Sequence, residues 1–402
     1  MEGKRFIRKI KLQNFLSYGS EGEEIELQPL NVLIGTNTSG KSNLIEAIGI
    51  LKATPTDLAV PFRQGGGVSE FLWKGDDGST TAELQAIIDY PKELQPLRYK
   101  LNFAASAQRV EIVDEVVENE YPIQDESEAH FYYRFNDYNG HPAFRVREEG
   151  AWAGIYNEFW ANSELFRIDQ SILSQVQEAL RYPEITYLRN QFANIALYRD
   201  FPMGRHGKLR DVQKVDLPEH PLLEDGSNLG LVLNNLQYKI SNRQIIDTLK
   251  KFYTSAEELI VRIYGGTVQI FIREEELIQP IPASRLSDGT LRYLFLMALL
   301  LDPTPPPLIC LEEPEIGLHP DILPTIAEML IEASQKTQLI VTTHSDALVS
   351  ALSEYPEAIL VCERDEKGSH LRRLEADKLK NWLEKYTLGD LWRMGEIGGN
   401  RW

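Results

Sequence analysis

One octapeptide constrains this chain more than any other stretch. Gly35-Thr36-Asn37-Thr38-Ser39-Gly40-Lys41-Ser42 fills every fixed position of G-x-x-x-x-G-K-S. Residues 30–34 before it are a short, mostly apolar run suited to a buried strand. Residues 42–52 after it carry Leu44, Ile45, Ile48 and Leu51, the stripe of an amphipathic helix. A strand, a glycine-rich loop and a helix start together form a preorganised cradle of backbone N–H groups for an anion. In such a cradle the lysine reaches the β/γ-phosphates as a point charge, and the serine hydroxyl is a Mg²⁺ ligand. The octapeptide therefore predicts a phosphate-binding α/β unit.

The rest of the chain is read against that unit. Ile10 and Leu12 alternate with lysines, residues 24–27 alternate again, and 82–88 and 99–103 carry strand patterns. Residues 105–255 are aromatic-rich and mixed, with helical patterns at 164–180 and 229–253 and no heptad array. From 280 the pattern becomes helix after Ser287, strand 308–311, helix 321–335, strand 339–343, strand 358–363 and a last helix 377–386. Strands alternating with helices predict a mainly parallel sheet. The expected division is 1–104 and 280–402 as two halves of one head, with 105–279 as an inserted lid.

Charge and cysteine content narrow the class. The chain of 402 residues has 42 Lys plus Arg against 60 Asp plus Glu, a formal charge of −18, unlike a protein that simply coats nucleic acid or anionic membrane. Cys310 and Cys362 are the only cysteines, too few for a disulfide framework or a Cys-rich zinc module, and suited to a reducing cytosol. The start, MEGKRFIRKIKLQNF, lacks the apolar core of a signal peptide. The longest apolar run, 294–301, is far short of a bilayer span. A cytoplasmic protein is expected.

Three further motifs carry chemistry. The strand 308–311 ends in Glu312 and Glu313, at the carboxyl edge where open α/β sheets bind ligands. There Glu312 is suited to hold Mg²⁺ through its water shell, and Glu313 to polarise an attacking water. Thr342-Thr343-His344-Ser345 ends the next strand and aims His344 at the same edge. Leu286-Ser287-Asp288-Gly289-Thr290 opens a helix with a good N-cap and a glycine that permits close approach. Taken alone, that segment reads rather as an ordinary capped core helix; its order relative to the other motifs is what singles it out.

The order of these motifs resembles the ABC-type ATPase head shared by SMC and RecF proteins and the OLD-family ATPases. In that resemblance LSDGT is the signature, LEEPEIGLHP is Walker B plus D-loop, and His344 is the switch histidine. The opening IKLQNFLSYGS is similar to the first strand of RecF and SMC heads. The resemblance covers 5–104 and 280–364. It implies an α/β fold: a P-loop head with a mainly parallel sheet, an antiparallel β subdomain and an inserted, largely helical lid without coiled-coil arms. It also implies ATP and Mg²⁺ as cofactors. Gln64 would be the Q-loop contact to Mg²⁺ and water, although 63–67 also suit a plain loop. Two departures stand out, Glu312 where Asp is usual and Asp288 where many relatives have Gly or Ser. The resemblance further implies that Ser287, Asp288 and Gly289 of one protomer close over the γ-phosphate held by the other, giving an ATP-sandwiched homodimer.

Several partners and alternatives follow from the same reading. The missing heptads argue against a long-armed tether, and nothing asks for the membrane partner of a transporter subunit. OLD nucleases carry a Toprim domain after the ATPase; the stretch after Arg364 is too short for one, so this chain is not expected to cut nucleic acid alone. The tail 388–402 resembles the ending of short bacterial AAA-15/AAA-21 type predicted ATPases. Members of that group sit beside small effector genes, Toprim-like or HNH nucleases among them, and several relatives, Septu's ATPase included, serve anti-phage defence. Physically, the tail reads either as a docking segment, Trp392 and Trp402 included, or as one packed on its own sheet. The basic run 181–214 (Arg181, Arg189, Arg199, Arg205, Lys208, Arg210, Lys214) reads as a contact for nucleic acid or an effector, or as a solvated face or internal ion pairing. The expectation is an ATP-dependent switch licensing a separately encoded effector. The alternatives are a RecF-like, ATP-dependent DNA-binding protein of repair and a nearly non-hydrolysing scaffold.

Overall fold

A computed structural model describes residues 2–75, 80–91, 95–122, 128–135, 142–147, 156–160, 166–201, 204 and 207–399. Its centre is a six-stranded sheet in the order Ala196–Tyr198, Leu308–Glu312, Gln338–Thr342, Leu30–Gly35, Ile359–Asp365, Gly368–Arg373. The first five strands are parallel and the last is antiparallel to its neighbour. Leu30–Gly35 is buried along its whole length, as expected of a strand covered on both faces.

The two-residue period of these strands sorts their side chains into two cores. Leu30, Val32, Ile34, Ile309, Leu311, Leu339 and Val341 face one core, shared with helices Asp288–Leu300 and Leu323–Ser334. Leu33, Leu308, Cys310, Ile340 and Cys362 face the other, shared with helix Lys41–Ala53 and the antiparallel sheet. That second sheet runs Glu23–Glu26, Ile7–Gln13, Thr81–Ile88, Leu97–Ser106, Arg109–Pro122, Ala129–Arg134, Ala143–Arg147, Tyr156–Trp160. A smaller sheet joins Gln213–Lys214, Thr267–Glu274 and Ala256–Tyr264, with Ile281–Pro282 on Thr267–Glu274.

The mixed α/β class, with one mainly parallel and one antiparallel sheet, is the expected one. The inserted segment differs in composition. Within 105–279, strands such as Arg109–Pro122, Ala256–Tyr264 and Thr267–Glu274 accompany the helices, so this segment is not largely helical. It also supplies an edge strand, Ala196–Tyr198, to the central sheet. The described part of 164–180 contains only the short helix Ile172–Gln175; Glu164 lies outside the described residues. The pattern at 229–253 divides into Leu229–Lys239 and Asn242–Phe252, because Ile240 turns extended and Ser241 caps the second helix through its hydroxyl.

The tail follows the second of its two readings. After Ala376–Leu383, one more helix, Leu388–Met394, lies against Asp346–Ala351. A Cβ on Gly389 would stand 2.2 Å from the Asp346 carbonyl oxygen, so glycine lets the two helices approach. Leu388, Leu391, Trp392 and Ile397 are buried in the molecule's own core, where they are lost to any docking partner. Asn400, Arg401 and Trp402 lie outside the described residues. No helix among the described residues is long and apolar enough to cross a membrane.

Candidate functional site

The phosphate-loop sequence leaves the carboxyl end of Leu30–Gly35 and turns directly into Lys41–Ala53. Gly40 has φ 104°, and a Cβ there would stand 2.4 Å from Ser369 Oγ and 2.8 Å from Ser17 Oγ. Glycine is therefore required by both conformation and space. The loop is held from outside: Tyr18 Oη donates to the Gly40 carbonyl at 3.1 Å, and Asn43 donates to Ser17 Oγ at 2.7 Å. The buried Lys41 ammonium donates to the carbonyls of Gly35 (2.9 Å) and Thr36 (2.8 Å). Burial lowers its pKa from the usual lysine value.

Strand order decides what faces this loop. Gln338–Thr342 lies between the loop's strand and Leu308–Glu312, with Glu312 opposite Thr342 and Thr342 opposite Leu33. Ser42 Oγ consequently donates to Glu312 Oε2 at 3.4 Å, across 270 residues of sequence. The longer glutamate, in place of the usual aspartate, does reach the serine. On its other side Glu312 faces Arg199. Parallel pairing of Tyr198 with Leu311 brings Arg199 level with Glu312, Nε to Oε1 3.7 Å. The same guanidinium donates to Glu46 at 2.6 Å and to the Ile45 carbonyl at 3.1 Å. Burial raises the Glu312 pKa, and the Arg199 charge opposes that rise.

Glu313 begins the turn after the strand at φ 47°, a left-handed conformation unusual for a residue with a side chain. Three hydrogen bonds hold its backbone: its N–H donates to the Thr342 carbonyl (3.0 Å), and its carbonyl accepts from Arg292 Nη2 (2.6 Å) and from the Ile316 N–H (3.2 Å). Its carboxylate lies 3.8 Å from His344 Nε2, both side chains 38% exposed. Glu315 fixes the histidine's turn by accepting from Thr343 Oγ1 (2.6 Å) and the His344 N–H (2.9 Å).

The helix start at Ser287 forms a second group. Ser287 Oγ accepts from the Thr290 N–H at 3.0 Å, the predicted N-cap. Asp288 accepts from Arg210 and from the Gly204 N–H, and the hydrogen bond to Arg210 holds its carboxyl below the usual range. A Cβ on Gly289 would meet the Gly317 carbonyl at 3.0 Å. Ser287 and Asp288 are exposed. Among the described residues, no hydrogen bond or ion pair joins 287–289 to the phosphate loop, Glu312, Glu313 or His344. One turn further in, the buried Arg292 donates to the carbonyls of both Glu313 and Pro314 (3.0 Å) and packs over Phe201, 3.9 Å from its ring centre.

Gln64 is not drawn into the Ser42–Glu312 pair. It ends helix Ala59–Gln64, makes no hydrogen bond to either residue, and lines an open cleft of about 740 Å³ with Glu46 and Arg199. Among the described residues the basic run divides: three of its members are ion-paired, while Arg181, Lys208 and Lys214 are exposed. Arg199 pairs with Glu46, Lys208 with Asp225 and Arg210 with Asp288, which satisfies their charges internally; Arg205 lies outside the described residues.

Sequence reasoning missed Arg199, Arg292 and Glu315 as parts of the site. Arg292 carried a signal, being the one charged residue in the otherwise apolar stretch 291–301. Glu315 sat within the LEEPE string without a stated role. Nothing local distinguished Arg199 from the other basic residues of 181–214.

Comparison with known proteins adds three findings. Residues 30–350 match the family model AAA_21, described as "AAA domain, putative AbiEii toxin, Type IV TA system". The Old nuclease of Escherichia phage P2 is 28% identical over 175 residues, which are 40% of this chain and 29% of that protein. The match thus spans under a third of that relative's length. Among solved structures, an SMC head bound to the C-winged helix domain of ScpA superposes with TM-score 0.57 at 16% identity, covering 93% of this chain and 99% of that one. An Smc head with an extended coiled coil, bound to the C-terminal domain of ScpA and derived from Pyrococcus furiosus, gives 0.55 at 14% identity, covering 94% and 99%. At such identities these structures speak for the fold.

Proposed function

The chain belongs to the AAA_21 family of ATPase domains, built on the fold of an SMC head, and from that premise we propose that it is an ATP-hydrolysing switch closing as a homodimer. The observation that carries this reading is the convergence at one sheet edge of Ser42 with Glu312 and of Glu313 with His344. In it, Gly35 to Gly40 cradle the phosphates with backbone N–H groups, and Lys41 leaves its loop carbonyls to meet the β/γ-phosphates. The Ser42 hydroxyl and Glu312 carboxylate are the hard oxygen donors that suit Mg²⁺, which usually takes one or two protein ligands beside phosphate and water. Bound there, Mg²⁺ would supply charge neutralisation of the phosphates. Glu313 accepts a proton from the attacking water, and His344 holds Glu313 and the γ-phosphate in line. Gln64, on the wall of the neighbouring cleft, belongs to the metal and water shell only in a closed form.

The helix start at Ser287, with Ser287 and Asp288 exposed, lies apart from the loop's own contacts, which supports its use by a second copy. We assign the output to a separately encoded effector, a nuclease, in anti-phage defence; the match to a protein named Old nuclease lends support. The second reading is a RecF-like, ATP-dependent DNA-binding protein; of the basic run, Arg199, Lys208 and Arg210 are ion-paired, and steeply salt-dependent DNA binding that strengthens with ATP would favour it.

The test is a pair of variants. Glu313→Gln is expected to retain ATP binding and accumulate as an ATP-bound dimer in light scattering, with turnover reduced at least about a hundredfold. Ser287→Arg is expected to bind ATP yet stay monomeric. Wild-type turnover by Glu313→Gln would remove that residue from the mechanism.

A further inference from the structure

Beyond Leu388–Met394 the tail is exposed as far as Glu396 and then turns inward, with Ile397 and Gly399 buried and Gly399 against Val361 and Gly35 at the base of the phosphate loop. Ile397 is held by Arg372, whose Nη2 donates to its carbonyl at 2.9 Å. The Gly399 N–H donates to Glu363 Oε1 at 3.1 Å, and Trp392 Nε1 donates to the Gly399 carbonyl at 3.4 Å. Gly398 and Gly399 both take left-handed φ, 79° and 72°. A Cβ built on the buried Gly399 would stand 3.0 Å from Val361 Cγ1 and 3.3 Å from Gly35 Cα.

We propose that this C-terminal glycine pair is a positioning element of the nucleotide site, with Gly399 seated on Gly35 and setting the first residue of the phosphate loop. Gly35 is also confined by its neighbouring strand, where a Cβ would come within 2.3 Å of the carbonyl oxygen of Cys362, its register partner. Its own carbonyl is one of the two that accept the Lys41 ammonium. Gly35 is thus held by both the tail and strand Ile359–Asp365, and a shift at Gly399 moves the carbonyl on which Lys41 rests. Only glycine fits both requirements, the left-handed backbone and the close approach. The tail's glycines and Trp392 are thereby accounted for without an external partner, and the tail becomes a second input to nucleotide affinity. The inference rests on the phosphate loop being an ATP site.

The experiment uses the full chain, with ATP titrated calorimetrically and the melting temperature recorded alongside. Gly399→Ala is expected to weaken ATP binding about tenfold while leaving turnover at saturating ATP near wild type. Gly395→Ala is the control. It imposes similar backbone strain at φ 82°, but its hydrogen bonds stay within the tail, so it is expected to lower the melting temperature equally and leave ATP affinity unchanged. Equal ATP affinity in Gly399→Ala and the wild type overturns the proposal, as does equal weakening in both variants. Should Gly399→Ala fail to fold, a chain ending at Ile397 replaces it, with the same expected loss and the same overturning result. Absence of ATP binding by the unaltered chain would instead defeat the nucleotide-site reading itself.

Discussion

Arg292→Met isolates the link between the Ser287 helix and the Glu313 turn. The guanidinium is buried, makes hydrogen bonds to the carbonyls of Glu313 and Pro314, and covers the Phe201 ring. Methionine fills similar space without a donor, so the buried Pro314 carbonyl loses its partner and the Glu313 carbonyl keeps only the Ile316 N–H at 3.2 Å. Hydrogen bonds to charged groups contribute about 1.5–3 kcal/mol each, and a desolvated cation–π contact about 2 kcal/mol. Against these stands the burial of the charge, which pushes the Arg292 pKa down to about 10. A net loss of about 3 kcal/mol is expected, and for a chain this large that lowers the melting temperature by only a few degrees. The functional effect should be larger than the structural one. Glu313 holds its left-handed backbone against a strain of about 1–3 kcal/mol, and loss of the shorter of its two carbonyl bonds lets it relax away from His344. ATP turnover under saturating nucleotide is therefore expected to fall more than about tenfold, with ATP affinity within about twofold of wild type. Calorimetric ATP titration and a phosphate-release assay read these separately. Unchanged turnover in a folded Arg292→Met protein refutes the link.

Two other perturbations test separate parts of the molecule. Lys41→Ala removes the only side-chain cation of the loop and is expected to abolish ATP binding in the same titration, while the fold, held by Tyr18 and Gly40, keeps its circular dichroism spectrum. Glu115, on strand Arg109–Pro122 of the antiparallel sheet, is buried and accepts from Tyr99 Oη, Ser171 Oγ and the Ile172 N–H, and burial pushes its pKa up to about 7. Because the folded state holds this proton between the ordinary carboxyl value and about 7 while the unfolded chain does not, its contribution is present at low pH and lost as pH rises through 7. Glu115→Gln is thus expected to lose about 3 kcal/mol less than wild type between pH 5 and pH 8 in denaturant melts; parallel pH profiles would sink that account.

What could be read from the residues alone was whatever a short segment decides for itself. The phosphate loop needs only a strand, two glycines and a helix start in succession, and Ser287 needs only Thr290 to become an N-cap. Likewise, four apolar residues followed by Glu312 and Glu313 already put both acids at a strand end. Tertiary structure decided which of these ends become neighbours. Glu312 reaches Ser42 because Gln338–Thr342 inserts between their strands, an order that no local pattern encodes. Arg199 lies beside Glu312 because Ala196–Tyr198, from the middle of the chain, pairs with Leu308–Glu312. The inserted segment was misjudged in composition for a related reason. Its strands close their hydrogen bonds with partners remote in sequence, whereas helices close theirs within four residues and so leave the clearer trace. The tail followed the same rule: its glycines signalled tight turns, but only the folded molecule placed Gly399 on Gly35.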